Sequence, residues 1–347
     1  MRHRSVSAPT RIADLGGWTD TWFSRHGIVC HLAVWPGVDV TVREGRGAPG
    51  VDVRLHNFDP EWHWSPGTDP RACPDPLVGA SLDEAGVPEG AWVLEIGSHV
   101  SPGASMGTSA SLCVAVIAAL DALGSPDGVV ANGPDALAAL VRRAHAAETV
   151  RLGQQSGIQD QWAAAAGGIN LIEMTAYPDA ERREVAVPPA VREQLEEQLV
   201  VVLLEQGHDS SAVHGRVVDA LASAGPDDAR LEALRSCARD GAAALVSGDL
   251  AAYGDALCRN TDAQAALQPD LVSAGARAVI DVARQAGVFG WKVNGAGGAG
   301  GSVTVLARDQ GSRADFEQQL AEGYPRTRLL PVRLAGSGVY VRDASDS

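Results

Sequence analysis

Apolar and polar residues alternate along several short stretches in the first half of the chain. In much of the second half the apolar residues recur every three or four positions. Alternation predicts strands at Ser5–Ala13, His31–Val42, Val51–Asn57 and Trp92–Val100, the first of them stopped by Gly16-Gly17. Ser109–Leu123 is nearly continuously apolar and predicts a buried helix; Ala136–Arg151 predicts a second. Residues 58–90 are rich in Pro, Asp and Gly and read as a long irregular connection. Short strands are expected at Ile169–Met174 and Glu184–Val187.

A further strand is expected at Leu199–Leu204, then helices at Ser211–Ala224, Asp228–Val246, Leu250–Leu267 and Leu271–Gln285. In the last of these Leu271, Val272, Ala276, Val279, Ile280 and Ala283 share one face. Strands return near Trp291–Asn294, Val303–Ala307 and Arg328–Leu334. Strands and helices mixed in both halves predict an α+β protein. Three prolines within Tyr177–Ala190 suggest a domain boundary there, giving domains 1–185 and 186–347.

Composition narrows the choice of function. A chain of 347 residues suits two domains. A formal net charge of −15 argues against nucleic acid or an anionic membrane as partner. The five cysteines, Cys30, Cys73, Cys113, Cys237 and Cys258, are scattered and include no CxxC pair. A disulfide framework or zinc site is therefore not expected, and a reducing, cytoplasmic setting fits. Met1–Pro9 lacks the apolar core of a signal peptide. The most apolar run, Leu112–Leu123, has twelve residues, against the roughly 20 that a bilayer span needs.

Three segments carry candidate chemistry. "SPGASMGTSASL", Ser101–Leu112, runs from a strand through a small-residue loop into a helix. There backbone N–H groups and the helix N-terminus form an anion site, and the Thr108, Ser109 and Ser111 hydroxyls can reach a phosphate or metal. "KVNGAGGAGGSVTVL", Lys292–Leu306, lies between two strand candidates. Its glycine and alanine run from Gly295 to Gly301 suits backbone packed closely against a neighbour, although a hinge has the same composition. Neither segment is a GxxxxGK[ST] loop, and the second precedes a strand, unlike a dinucleotide-binding turn. "APTRIADLGGWTD", Ala8–Asp20, places Arg11 on a strand and Asp20 just beyond a Gly-Gly turn.

In this order the three segments resemble the motifs of the GHMP kinase superfamily. "RIADLGGWTD" and "AETVRLGQQSGIQDQWAAAAGGINLIEM" are similar to segments of its fucokinase and D-glycero-D-manno-heptose 7-phosphate kinase branch. The second motif departs from the usual pattern with Ser105 in place of Gly, Met106 in place of Leu and Thr108 in place of Ser. Ala299 interrupts the glycines of the third.

The resemblance implies a two-domain α+β fold, its N-terminal part like ribosomal protein S5 domain 2 and its C-terminal part ferredoxin-like, with the active site in the cleft between them. It implies that Asp160 is the catalytic base and Arg11 its positive partner. Pro102, Gly103, Ala104, Ser105, Met106, Gly107, Thr108 and Ser109 would hold the phosphates of ATP, and Ser109 and Glu148 would hold Mg2+. Asp20, Gly17, Trp18, Gly157, Gly297 and Gly298 would line the substrate site. Gln159, Gln161, His31 and Trp22 are further sugar-contact candidates. So is "GHDSSAVHGR", Gly207–Arg216, which reads equally well as a helix cap.

The expected activity is transfer of the γ-phosphoryl group of ATP to the anomeric hydroxyl of a sugar or sugar phosphate, fucose-like or heptose 7-phosphate. A phosphorylated sugar would need a further basic cluster, for which Arg25, Arg142, Arg143 and Arg151 are candidates. The alternatives are a kinase for a non-sugar alcohol such as mevalonate, or a non-catalytic nucleotide or sugar sensor. The expected state is a monomer or homodimer.

Overall fold

The computed structural model describes residues 2–56, 58–101, 103–125, 130, 133–204, 215, 217–219, 221, 225–298 and 300–342. The expected helix at Ser211–Ala224 and the segment Gly207–Arg216 lie largely outside the described residues, as do Pro102 and Ala299.

Two sheets organise the chain. The first is nine-stranded among the described residues. It contains β1 (His3–Leu15), β2 (Gly27–Glu44), β3 (Gly50–Leu55), β4 (Phe58–Trp64), β5 (Ala91–Ser98), β6 (Ile169–Ala176) and β7 (Asp179–Glu184). Two short strands near the C-terminus, β12 (Arg333–Leu334) and β13 (Tyr340–Arg342), complete it. The second sheet is antiparallel, in the order β11-β8-β10-β9, built from β8 (Leu199–Leu203), β9 (Gly290–Val293), β10 (Ser302–Leu306) and β11 (Arg328–Leu330).

β2 is the hub of the first sheet. Its first part, Gly27–Leu32, pairs with β6, and its last part, Val38–Glu44, pairs with β5. Val34 and Trp35 pair with β12. Pro36, which has no N–H to give to a ladder, sits where the partner changes. β1 runs antiparallel along nearly the whole of β2, with two register shifts. β13 pairs with β1 at Ser5–Ser7.

Helices α1 (Pro76–Ala85), α2 (Thr108–Gly124), α3 (Pro134–Ala146) and α4 (Gln159–Ala166) belong with the first sheet. α2 is buried along most of its length, from Ala110 to Leu123, and shares one core with Val40, Val42, Leu94 and Trp162. A second core joins the two sheets. Ile12, Leu15, Ile28, Cys30 and Leu32 of β1 and β2 pack against Cys237 and Leu245 of α6 (Ala229–Ser247) and Tyr253 and Leu257 of α7 (Leu250–Leu267). A third lies between the second sheet, α8 (Ala274–Gln285) and α9 (Gln310–Gly323).

The expected irregular connection at 58–90 is corrected: it holds β4 and α1. Pro76 opens α1 at a position where its missing N–H costs nothing, and the Asp75 side chain caps the helix by accepting from the Leu77 and Val78 N–H groups. The strand expected at Glu184–Val187 lies earlier, at Asp179–Glu184, and α5 (Pro189–Gln198) follows it. The helix expected through Arg151 is regular only to Ala146; Ala147–Arg151 widens into a π turn. Residues 328–334 divide between the two sheets. The first sheet thus draws strands from both sides of position 185, through β12 and β13.

Candidate active site

β1, the turn between β5 and α2, and the start of α4 meet at one place in the fold. They enclose a cleft of about 400 Å³, closed on one side by Gly295–Gly297 from the second sheet's long turn.

Arg11 and Asp160 form its centre. Arg11 points from β1 and is 4% exposed. Its Nε and Nη2 donate to the two Asp160 carboxylate oxygens at 2.7 and 3.0 Å, a forked pairing that fixes both groups. Nη1 donates to the Ser105 carbonyl. Burial opposes the guanidinium charge, but Asp160, Asp14 and Asp20 outweigh it and raise the Arg11 pKa. Asp160 stands in the first turn of α4. A Cβ on Gly107 would lie 3.2 Å from its Cγ, so the turn before α2 packs directly on this carboxylate.

That turn is bonded to both sheets. The Arg11 N–H donates to the Met106 carbonyl (3.0 Å), and the Ser302 hydroxyl to that of Ala104 (2.7 Å). Ser111 Oγ donates to the Pro9 carbonyl, so it serves the scaffold. Gly103, Ala104, Ser105, Met106, Gly107, Thr108 and Ser109 all line the cleft. No side chain caps α2, whose N-cap is Gly107 in the left-handed region, so its first turn opens on the cleft. Thr108 Oγ1 has no partner among the described residues, which fits a place kept for ligand oxygen. Ser105 is also left-handed, at φ 56°, which explains why glycine suits this position. The room it needs comes from across the cleft: a Cβ on Gly295 would lie 2.8 Å from the Ser105 carbonyl, and one on Gly301 2.9 Å from its hydroxyl.

Glu148 is buried in the π turn, where π geometry often marks functional sites. It faces the cleft and accepts from Ser156 Oγ (3.1 Å) and Gln161 Nε2. Burial first, then the nearby Asp160 charge, pushes its pKa up to about 7. Gln161 therefore holds Glu148 rather than lining the cleft.

Asp20 lines the same cleft. It is 4% exposed and accepts from the Gln159 N–H at 3.0 Å. Burial pushes its pKa up to about 6. A Cβ on Gly157 would sit 2.2 Å from Asp20 Oδ2, so only glycine leaves space for this carboxylate. Gly17, Gly157, Gln159 and Gly297 also line the cleft.

Trp18 lines the cleft, but it packs in the apolar cluster with Val217, Leu231, Leu234, Leu267 and Leu271. Trp22 sits edge-on to Phe23 and does not line the cleft. Gly298 lies behind it, its N–H bonded to the Leu271 carbonyl. His31 is fully buried between Gln159 Oε1 (2.9 Å) and Asn170 Nδ2 (3.2 Å). Since Asn170 Nδ2 donates, the ring accepts at Nε2 and gives its Nδ1–H to Gln159. Burial lowers its pKa to about 4. It steadies Gln159 from the layer below. The four arginines considered for a phosphate subsite lie elsewhere. Arg143 pairs with Asp121, Arg151 with Asp83 and Glu84, and Arg142 and Arg25 do not line the cleft.

Asp14 and Lys292 escaped the sequence reading. Asp14, 1% exposed, lines the cleft floor and accepts from the Gly295 N–H at 2.9 Å. Lys292 is completely buried behind it, its Nζ 3.6 Å from Asp14 Oδ1 and 2.9 Å from Gln264 Oε1. Burial opposes the Asp14 charge, but Lys292, Arg11 and the Gly295 N–H hold its pKa below the usual range. The available signal was a charged residue inside an apolar strand on each side, "RIADL" and "GWKVN".

The profile of the GHMP kinases N terminal domain matches residues 77–168, and that of the GHMP kinases C terminal matches residues 242–326, together half of the chain. A D-glycero-D-manno-heptose 1-phosphate kinase from Bacteroides thetaiotaomicron shares the fold with a TM-score of 0.73 at 18% identity, covering 99% of each chain. The mevalonate kinase of Methanococcus jannaschii gives a TM-score of 0.75 at 15% identity, covering 96% of this chain and 98% of that one. The galactokinase of Lactococcus lactis, complexed with galactose, gives 0.69 at 18% identity, covering 97% and 95%. No curated protein matches the chain by sequence. With the two-sheet α+β architecture, the convergent first and second motifs and both family profiles in place, the chain belongs to the GHMP kinases, phosphotransferases that act on alcohol groups.

Proposed function

We propose that the chain is an ATP-dependent sugar kinase that phosphorylates the anomeric hydroxyl of its acceptor. The observation that carries this reading is the forked Arg11–Asp160 pair, packed against the uncapped start of α2 in one cleft with Asp20. Phosphoryl transfer needs an aligned acceptor oxygen, a held γ-phosphoryl group and compensation of developing charge. The Gly103–Ser109 turn offers backbone N–H groups and the Thr108 hydroxyl to phosphate oxygens. Asp160 takes the acceptor proton, a role worth roughly 10²–10⁴-fold in general base catalysis. Arg11 keeps that carboxylate aimed and places positive charge beside the transferring group. An anomeric hydroxyl is more acidic than an ordinary alcohol, which suits a carboxylate base. Asp20 accepts from neighbouring hydroxyls of a sugar.

The donors present fit Mg2+. Ser109 is exposed on the first turn of α2, Glu148 faces the same cleft, and a cation that retains waters and binds phosphate oxygens needs few protein ligands. Among the described residues no cluster of three His, Cys, Asp or Glu side chains forms a metal cage. Bound there, the ion neutralises charge on the β- and γ-phosphates. No helix among the described residues is long and apolar enough to cross a membrane.

Asp160→Asn tests the assignment. Phosphoryl transfer is expected to fall by roughly 10²–10⁴-fold while ATP still binds, as read by a coupled assay and nucleotide titration. Near-normal turnover in that variant removes Asp160 as base.

A further inference from the structure

Glu148 can serve a cation only if its carboxylate is held in place. Ser156 Oγ and Gln161 Nε2 both donate to Oε2, which among the described residues leaves Oε1 for the ion. Gln161 stands on α4, and that helix fixes it. Ser156 stands on the connection between the π turn and α4, where residues 153–157 belong to no helix or strand. Much depends on this connection. Glu148 precedes it, Asp160 follows it, and Gly157 packs against Asp20.

Its anchor is the Ser156 carbonyl, which accepts from the Tyr177 hydroxyl at 3.0 Å. Tyr177 lies in the turn between β6 and β7 and does not line the cleft. Its hydrogen is spent on Ser156, so the 3.0 Å contact between its oxygen and His145 Nε2 has the ring N–H as donor. The same Nε2 is 3.4 Å from the Ser156 carbonyl. His145, on α3, is buried and meets the Tyr177 ring edge-on, with centroids 5.5 Å apart.

The backbone of Tyr177 is tied to the other side of the site. Its N–H donates to the Arg25 carbonyl at 2.9 Å, in the loop that carries Asp20. The phenol also lies in the field of both carboxylates. Burial first, then Asp20 and Glu148, push its pKa up to about 12, so it stays a donor.

We propose that Tyr177, aligned by His145, is a positioning residue for the metal. It pins the Ser156 carbonyl, and through the Ser156 hydroxyl it sets where Glu148 presents its carboxylate. This rests on Glu148 as a Mg2+ ligand in the kinase reading. A carboxylate that binds a cation depends on its own hydrogen-bond partners, and losing one costs about 10–100-fold in metal affinity or activity.

The test uses Mn2+ as a probe for the Mg2+ site. It is titrated by electron paramagnetic resonance into the full chain, held in excess over a non-hydrolysable ATP analogue. Ser156→Ala is expected to weaken Mn2+ binding about tenfold or more, and Tyr177→Phe about three- to tenfold. Metal-free binding of the analogue is expected to stay unchanged in both. The two residues act along one line, so adding Tyr177→Phe to Ser156→Ala is expected to cost little beyond the larger single loss. Unchanged Mn2+ affinity in Tyr177→Phe overturns the proposal. Full additivity, or a matching loss of metal-free analogue binding, overturns it too, since a general loosening of the fold produces both.

Glu148→Gln separates this proposal from the reading beneath it. Weaker Mn2+ binding in Glu148→Gln, with none in Tyr177→Phe, removes only the role of Tyr177 and leaves the metal assignment standing. Unchanged binding in Glu148→Gln removes that assignment and the proposal with it.

Discussion

At the scale of single residues, the site is built from carboxylates held where burial disfavours their charge. Glu148 shows the consequence. Its pKa rises from an ordinary 4.5 to about 7, with burial the largest cause. Between those values the folded chain keeps a proton that the unfolded chain releases. The stability tied to this group is therefore complete below about pH 4.5 and is lost as pH rises through 7. Glu148→Gln is expected to stabilise the protein at pH 8 by on the order of 1–3 kcal/mol, to give no gain at pH 4, and to lose activity. Thermal unfolding at the two pH values checks this; the same difference at both would contradict it.

Gly157 gives a second expectation. An alanine Cβ placed 2.2 Å from Asp20 Oδ2 must displace that carboxylate. Gly157→Ala is expected to raise KM for the acceptor by about tenfold or more while KM for ATP changes little, as steady-state kinetics with each substrate varied would read. Of these residues, Arg11, Asp20, Glu148 and Asp160 were legible because each sits in a motif with a spacing. Asp14 was not, because an aspartate beside a glycine turn looks like an ordinary turn residue until the strand is seen to run through it to Leu15.

At the scale of elements, the long glycine turn after β9 packs closely on the turn that precedes α2. Ser302 bonds to Ala104, Asn294 accepts from the Ala13 N–H at 3.0 Å, and Asp14 and Lys292 join β1 to β9 beneath them. Removing one charge of this buried pair strands the other. Lys292→Met and Asp14→Asn are each expected to cost about 3–5 kcal/mol, and the double variant clearly less than their sum. Denaturant unfolding of the four proteins checks the coupling, and simple additivity would refute it. The sequence conveyed that the glycine run was packed, because its residues lack side chains. It did not convey against what, since that surface comes from residues nearly 200 positions away. α1 and α9 were missed for a related reason. The prolines, aspartates and glycines of residues 58–90 read as an irregular connection and hid α1, and only Phe316 and Leu320 of α9 are buried, too few to print a clear stripe.

At the scale of the whole molecule, the two sheets share an apolar seam from Ile12 and Leu15 through to Tyr253, Leu257 and Leu306. Domains joined by a large hydrophobic interface do not move or melt freely of one another. Calorimetry is expected to show one unfolding transition; two resolved transitions would mean that the seam is weaker than its burial indicates. The α+β class and the two-part organisation were readable from the mixture of periods. The return of β12 and β13 to the first sheet was not, because strands of two and three residues carry no period. That return orders events at the ribosome. β1 emerges well before its partner at Ser5–Ser7, which is made more than 330 residues later. Until then this end of β1 offers bare N–H and C=O groups to any passing strand, a hazard that a nascent chain must be shielded from and that a finished one no longer carries.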